Sequence, residues 1–230
     1  MSDRCLGVTT DLPMQPITEQ AHDLLMSLVR GTLAIDATAG NGHDTEFLAR
    51  LVGPQGTVWA FDIQPTALER TAARLRERRI AVEILLQPPS HRDPFLVVTD
   101  GEGGLGESGD DAGRVICIEA DHAAMADHLP PECRGQIAAV MFNLGYLPGG
   151  DKSRITTARS TLAALNTALE FLAPKGVLTV VVYPGHPGGS EEAQAVHEWL
   201  ERQVRDGVAV WLTPRHMPMN PGPQLLALRK

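Results

Sequence analysis

The sequence predicts an α/β fold: a mostly parallel sheet of seven strands with a terminal antiparallel hairpin and helices on both faces. Three observations predict it. Short apolar runs alternate with amphipathic, helix-length segments along nearly the whole chain. The first apolar run leads straight into a Gly-x-Gly turn and then a helix. The last two strand-like runs have no helical segment between them, so they are expected to pair antiparallel.

Taken in order, Ile17 to Val29 reads as an amphipathic helix with Thr18 as its N-cap. Thr32 to Ile35 is a short strand, and a helix starts at Asp44 and runs to Leu51. Thr57 to Phe61 is the second strand. Pro65 then opens a helix to about Arg78, because its fixed φ and missing N–H suit a first turn. From Gln87 to Gly113 the composition changes to prolines, glycines and acidic residues, which bury little apolar surface. This stretch reads as an insertion within a single domain over residues 1–230, with Phe95 to Val98 as a candidate added edge strand. Alternation then resumes. Val115–Ile118 and Ile137–Phe142 are strands, and Ser153–Leu172 is a long helix closed by a Pro174-Lys175-Gly176 turn. Val177–Tyr183 is a β-branched strand, Ser190–Val204 a helix, and Val208–Leu212 and Gln224–Leu228 form the final hairpin.

A chain of 230 residues suits one such domain, and 43% hydrophobic residues suffice for its core. No apolar run approaches the ~20 residues that span a bilayer, and residues 1–7 lack the pattern of a signal peptide. A cytoplasmic location with no membrane association is therefore expected. Cys5, Cys117 and Cys133 share no metal-ligand spacing, and Cys117 lies in an apolar run as a small core residue. His22, His43 and His122 also lack ligand spacing, so no metal site is expected. The net charge of −8 argues against a uniformly basic nucleic-acid binder. Arg70, Arg74, Arg76, Arg78 and Arg79 nevertheless cluster on one helix, expected as a solvated face, while Lys152, Arg154 and Arg159 form a second cluster.

The sharpest chemical signal is Ile35 to Thr45. A strand that ends in a Gly-x-Gly turn before a helix lets backbone N–H groups approach a ligand at the sheet's carboxyl edge. Gly40 and Gly42 remove the Cβ atoms that would block that approach. Asp62 stands twenty residues beyond Gly42 at the next strand end, where a carboxylate accepts ribose hydroxyl hydrogens. A nicotinamide dinucleotide and S-adenosylmethionine both fit this much, and three details favour the second. Thr45 replaces the third glycine of the dinucleotide fingerprint. No pyrophosphate needs a helix N-terminus in a methyl donor. Asp36 puts negative charge where the donor's amino group would lie, and where phosphates would be repelled. Thr38, Asn41, Asp44, Thr45 and Gln64 complete the candidate donor-contacting set on the same two turns. Asp121 and His122, just past another strand, are candidates to flank the adenine.

The second constellation is Phe142-Asn-Leu-Gly-Tyr-Leu-Pro-Gly-Gly-Asp-Lys152. It follows an apolar strand, so Asn143 emerges at the same edge as Gly40. A polar group there can accept a hydrogen bond from an acceptor amine and aim its lone pair for in-line displacement. Asp151 is a candidate to position or deprotonate an ammonium, which must be neutral to attack. Tyr146 joins Asn143 and Asp151 in the candidate catalytic set. A third segment, Tyr183 to Glu192, follows another parallel strand and faces the same cleft, with Tyr183 and His186 as candidate substrate contacts.

With these residues in view, the chain resembles the YtqB-like family of small bacterial class I methyltransferases, a group labelled rRNA methylases. The resemblance rests on Asp36-Ala-Thr-Ala-Gly-Asn-Gly-His-Asp-Thr45, Phe142-Asn-Leu-Gly-Tyr-Leu-Pro-Gly-Gly-Asp151, and Tyr183-Pro-Gly-His-Pro-Gly-Gly189 with Glu191-Glu192. It covers nearly the whole chain outside residues 87–113. It implies a Rossmann-like methyltransferase fold and S-adenosyl-L-methionine as methyl donor. The family includes the enzyme that methylates the aminomethyl group of 5-aminomethyl-2-thiouridine at the tRNA wobble position. The resemblance therefore implies N-methylation of a primary amine on a tRNA anticodon arm, and a possible homodimer. On that reading Tyr146 stacks on the wobble base and Lys152 and Arg154 contact phosphates, with Leu147 and Pro148 beside them. The alternatives are the same donor with an rRNA or small-molecule amine acceptor, a nicotinamide-dependent oxidoreductase, and a non-catalytic binding module.

Overall fold

The computed structural model describes residues 15–28, 30–85, 111–145, 156–213 and 222–230. Its regular elements are α1 (Ile17–Leu25), β1 (Leu33–Asp36), α2 (His43–Val52), β2 (Thr57–Asp62), α3 (Pro65–Glu77), β3 (Val82–Leu85), β4 (Arg114–Glu119), β5 (Ile137–Asn143), α4 (Ala158–Phe171), β6 (Leu172–Val182), α5 (Gly189–Arg205), β7 (Val210–Trp211) and β8 (Gln224–Arg229). The strands form a single sheet in the order β3-β4-β2-β1-β5-β6-β8-β7. Every pairing from β3 to β6 is parallel, whereas β8 runs antiparallel to both β6 and β7.

The two-residue side-chain period of a strand sorts this sheet into two cores. Ile35, Trp59, Phe61, Ile116 and Ile118 point to one face, where they meet Leu165, Ala193 and Trp199 of α4 and α5. Their neighbours Ala34, Val58, Ala60, Val115 and Cys117 point to the other, against Leu25, Leu48 and Leu68 of α1, α2 and α3. Both faces are thus covered, which is why the central strands read as nearly continuous apolar runs. The sheet is the Rossmann-like one expected, and Cys117 is indeed a core residue, its thiol pushed up to about 12 mainly by burial.

Several boundaries differ from expectation for local reasons. Among the described residues the sheet has eight strands rather than seven. The addition, β3, is four residues long, carries Glu83 and lacks a turn signal before the Pro-rich stretch. It lies at the sheet edge, parallel to β4. The stretch expected as an insertion also ends earlier. Ala112 and Gly113 are buried, and the Gly113 N–H donates to the Ala49 carbonyl at 2.7 Å. The candidate strand Phe95–Val98 lies outside the described residues.

Helix α1 has Pro16, not Thr18, at its N-cap and stops at Leu25, where short-range bonds from Met26 to Asp23 and Leu28 to Leu25 turn the chain. Helix α4 starts at Ala158 rather than Ser153, because Thr157 and Ser160 close a reciprocal capping box there. The expected turn at Pro174-Lys175-Gly176 is instead an irregularity inside β6. The β5–β6 register shifts there, Lys175 takes φ 67°, and its N–H bonds the Lys230 carbonyl. The strand expected over Val208–Leu212 is trimmed to Val210–Trp211.

Substituting Thr157→Ala removes the acceptor for the Ser160 N–H and should cost about 1 kcal/mol in urea-induced unfolding. An unchanged midpoint would show that the cap does not fix the start of α4.

Candidate functional site

Chain order reverses at β1, whose neighbours are β2 on one side and β5 on the other. At such a switch point the loops leaving adjacent strands diverge, opening a crevice at the strands' carboxyl ends. Two hydrogen bonds close its floor. The Ala37 N–H donates to the Met141 carbonyl at 2.9 Å, and the Asn143 N–H donates to Thr38 Oγ1 at 2.7 Å. The two sharpest sequence motifs therefore meet at one seam.

Asp36 sits at the tip of β1 and is 1% exposed. One oxygen accepts the Thr38 N–H at 3.1 Å and the other the Thr45 hydroxyl at 2.6 Å. Burial, and next the charge of Asp44, push its carboxyl up to about 7. Asp62, at the tip of β2, accepts the Gly40 N–H at 3.0 Å and the Gln64 N–H at 2.9 Å, and burial raises its pKa as well. The Gly-x-Gly turn is thus hung from the carboxylate of the neighbouring strand.

The turn is also held from behind. Gly42 has φ 78°, and a Cβ there would lie 2.9 Å from the Thr71 backbone, so only glycine fits against α3. Thr71 donates its hydroxyl to the Gly40 carbonyl at 3.2 Å, and Arg74 Nε donates to the Asn41 carbonyl at 2.9 Å. Arg74 also reaches Glu46 and His43, and Arg70 Nη1 reaches Asn41 Oδ1 at 3.4 Å. The α3 arginines are therefore more than a solvated face: Arg74 braces the turn.

Asp121 and His122 part company. The Asp121 side chain is exposed and caps the 3-10 turn His122–Asp127 by accepting the Ala123 N–H at 2.8 Å. His122 is buried edge-on against Phe142, and burial lowers its pKa so that the ring stays neutral.

On the other side of the seam, Asp44 is 7% exposed in the first turn of α2. Its Oδ1 lies 2.7 Å from His22 Nε2, and its Oδ2 accepts from Asn143 Nδ2 at 3.4 Å. The His22 ring stacks on Phe47 with centroids 3.7 Å apart. Tyr183, just past β6, stands close enough for the Asp44 charge to add to burial in raising its phenol. His186 packs against Gly145, where an added Cβ would be 3.6 Å from its Nε2. Gly145 and Thr156 exchange two hydrogen bonds, at 2.9 and 3.1 Å. Thr156 and Thr161 both donate to Glu192, a carboxylate 2% exposed, at 2.9 and 2.7 Å.

Asp36, Thr38, Gly40, Asn41, Gly42, Asp44, Thr45, Asp62, Gln64, Asn143, Tyr183 and His186 thus share one end of the sheet. Tyr146, Leu147, Pro148, Asp151, Lys152 and Arg154 lie outside the described residues. His22, Thr71, Thr156 and Glu192 were not legible as site residues. His22 carried a usable signal, since it lies on the face of α1 that also buries Ala21 and Leu25. No group of three or more His, Cys, Asp or Glu among the described residues could hold a metal ion.

The family model described as "Putative rRNA methylase" matches residues 105–228, more than half of the chain. The chain belongs to that family. Its relatives include the chloroplastic tRNA (mnm(5)s(2)U34)-methyltransferase of Arabidopsis thaliana, 36% identical over 185 residues. That match takes in 78% of this chain and 57% of the plant protein, so the chain spans little more than half of that relative's length. Among solved structures, the "putative rRNA-methylase" of Clostridium thermocellum superposes with a TM-score of 0.72 at 33% identity, over 95% of this chain and 99% of that one. A "putative methyltransferase" from Streptococcus mutans, solved in complex with SAH, superposes with a TM-score of 0.66 at 27% identity, over 94% and 98% of the two chains. Fold and family are those of S-adenosylmethionine-dependent methyltransferases. No helix among the described residues is long and apolar enough to cross a membrane.

The state of Asp36 gives a test. Its carboxyl is raised in the folded protein, so the unfolded chain gives up that proton at lower pH and stability falls as pH rises from about 4 to about 7. Asp36→Asn removes this effect. The variant should be more stable than the parent at pH 8, by at most about 4 kcal/mol, and match it near pH 4. Urea unfolding at the two pH values checks this, and an equal difference at both would show that Asp36 does not carry the effect.

Proposed function

We propose that the protein is an S-adenosylmethionine-dependent N-methyltransferase whose acceptor is the 5-aminomethyl group of 5-aminomethyl-2-thiouridine at the tRNA wobble position. The observation that carries this reading is the convergence of three carboxylates and one carboxamide on the β1–β5 seam. Asp36 feels two further negative charges, from Asp44 and then Asp62. A ligand with net positive charge offsets that repulsion, and a dinucleotide pyrophosphate would worsen it. The residues therefore fit the cationic methyl donor. Asp62, fixed by two backbone N–H groups, keeps lone pairs for ribose hydroxyls, with Gln64 beside it. Asp36, with Thr38, Asn41 and Thr45, forms the wall for the donor's amino acid end.

When bound there, S-adenosylmethionine supplies an electrophilic methyl on a sulfonium. The chain's own task is to present the nucleophile. Asn143 donates its Nδ2 towards Asp44, which leaves Oδ1 to accept an N–H of the acceptor amine and aim the nitrogen. Asp151 and Tyr146 serve the acceptor side, as do Leu147, Pro148, Lys152 and Arg154. Tyr183 and His186 wall the same opening from β6. The family description favours a second reading, in which the acceptor lies on rRNA.

Transfer of labelled methyl from the donor to tRNA bearing the unmethylated aminomethyl nucleoside, followed by nucleoside analysis, separates the two. Label on the wobble nucleoside is expected; label on rRNA alone would replace this reading by the second. Within the site, Asp62→Ala should weaken donor binding by roughly ten-fold in titration calorimetry, the loss of a hydrogen-bonded carboxylate. Asn143→Ala should leave donor affinity nearly intact and slow turnover by about 100-fold. The reverse pattern would exchange their roles.

A further inference from the structure

We propose that Asp44, oriented by His22, takes the proton from the acceptor's ammonium group before methyl transfer. This rests on the reading of the acceptor as a primary amine. Such an amine has a pKa of about 10, so at neutral pH only about one molecule in a thousand carries a free lone pair. A methyl donor cannot be attacked by an ammonium, so a proton acceptor beside the amine is required.

Asp44 is the carboxylate of the three that is placed for this. The Asp36 oxygens already accept the Thr38 N–H and the Thr45 hydroxyl, and the group is closed off from solvent. Asp62 is tied to the Gly40 and Gln64 N–H groups at the tip of β2, one strand away from Asn143. Asp44 touches Asn143 itself, which is the proposed amine acceptor. Its other oxygen is 2.7 Å from His22 Nε2, and the His22 side chain is 21% exposed. That ring therefore links the buried carboxylate to solvent, and its stacking on Phe47 fixes its plane.

The titratable groups that face Asp44 are His22 from α1, Asp36 from β1 and Tyr183 beyond β6. On α2 itself, Glu46 and His43 turn away to Arg74. Burial and Asp44 both hold Tyr183 in its neutral form, so the phenol does not compete for the proton.

In the step, an N–H bond of the ammonium breaks and an O–H bond forms on Asp44. The freed nitrogen pair then forms the N–C bond as the donor's C–S bond breaks, with that electron pair left on sulfur. The proton leaves Asp44 through the His22 ring to water, and the methylated amine departs as an ammonium.

The test is the single-turnover rate with tRNA carrying the aminomethyl nucleoside, at saturating donor, from pH 7 to pH 10, with donor affinity measured separately by calorimetry. Asp44→Asn should slow the reaction by about 100-fold or more at pH 7. That deficit should shrink towards pH 10, where the amine deprotonates in water, while donor affinity stays within about three-fold of the parent. His22→Gln keeps a donor to Asp44 but no proton shuttle, and should show a smaller deficit with the same pH trend. Circular dichroism melts verify folding across the range; should Asp44→Asn fail to fold, His22→Gln decides on the same profile. A deficit equal at every pH overturns the proposal, as does a loss of donor affinity that matches the loss of rate, which would make Asp44 a donor ligand. If the parent binds donor yet transfers no methyl to this tRNA, the acceptor reading fails and the proton transfer falls with it. If the parent is active and the Asp44→Asn deficit is pH-independent, the proton transfer alone is wrong.

Discussion

The site depends on the join between the ends of β1 and β5. Neighbouring parallel strands would ordinarily part at their carboxyl ends, since each must lead to its own crossover helix. Here the Ala37 N–H and the Asn143 N–H reach across, the first to a carbonyl and the second to the Thr38 hydroxyl. The second bond is the telling one. It uses a side chain to extend a backbone ladder beyond the last paired residues, Asp36 and Met141. Asp36, the Gly-x-Gly turn and Asn143 are thereby held at fixed separation, which is what a reaction governed by alignment demands.

The second constraint is charge. Placing Asp36, Asp44 and Asp62 together at a poorly solvated sheet end is unfavourable, and the raised carboxyls of Asp36 and Asp62 are its measure. A purely structural cluster would be expected to contain its own cation. Arg74 of α3 is instead engaged with the Asn41 carbonyl and with Glu46 at the back of the turn. The carboxylates instead meet backbone N–H groups, a threonine hydroxyl and His22. That arrangement orients negative charge without cancelling it. Perturbed acids of this kind mark functional sites more often than structural ones, and the sign of the unbalanced charge selects a cationic ligand.

Much of this was legible in the sequence, and the reasons divide cleanly. Strand tips and glycine turns are encoded locally, by apolar runs that end in Asp36, Asp62 and Asn143 and by positive-φ Gly40 and Gly42. Proline at the first turn of α3 likewise acts through its own ring. What escaped was set by contacts distant in the chain. His22 precedes Asp44 by a whole strand and turn, and its place on the buried face of α1 does not identify the carboxylate it meets. Strand β3 is defined by its partner β4 across the Pro- and Gly-rich stretch rather than by its own four residues. The bulge at Pro174-Lys175-Gly176 has turn composition, but the backbone of Lys230 pairs with it and keeps it in the sheet.

The chain that follows β5 shows how such distant contacts are organised. Glu191 and Glu192 read in the sequence as an acidic pair opening a helix, yet their fates are opposite. Glu191 is exposed, whereas Glu192 is buried and accepts hydroxyls from Thr156 and Thr161, on and just before α4. Thr156 in turn grips both backbone groups of Gly145, one through its hydroxyl and one through its own N–H. A carboxylate at the start of α5 therefore fixes the position of the chain two residues after Asn143. Burying that charge is tolerable because both oxygens are satisfied. Removing it would leave two threonine hydroxyls to find new partners, and Gly145 would lose its alignment with His186 and Tyr183. The Gly-x-Gly half of the site is thus built from consecutive turns, and the half around Asn143 and Gly145 from three separate elements locked through one buried side chain.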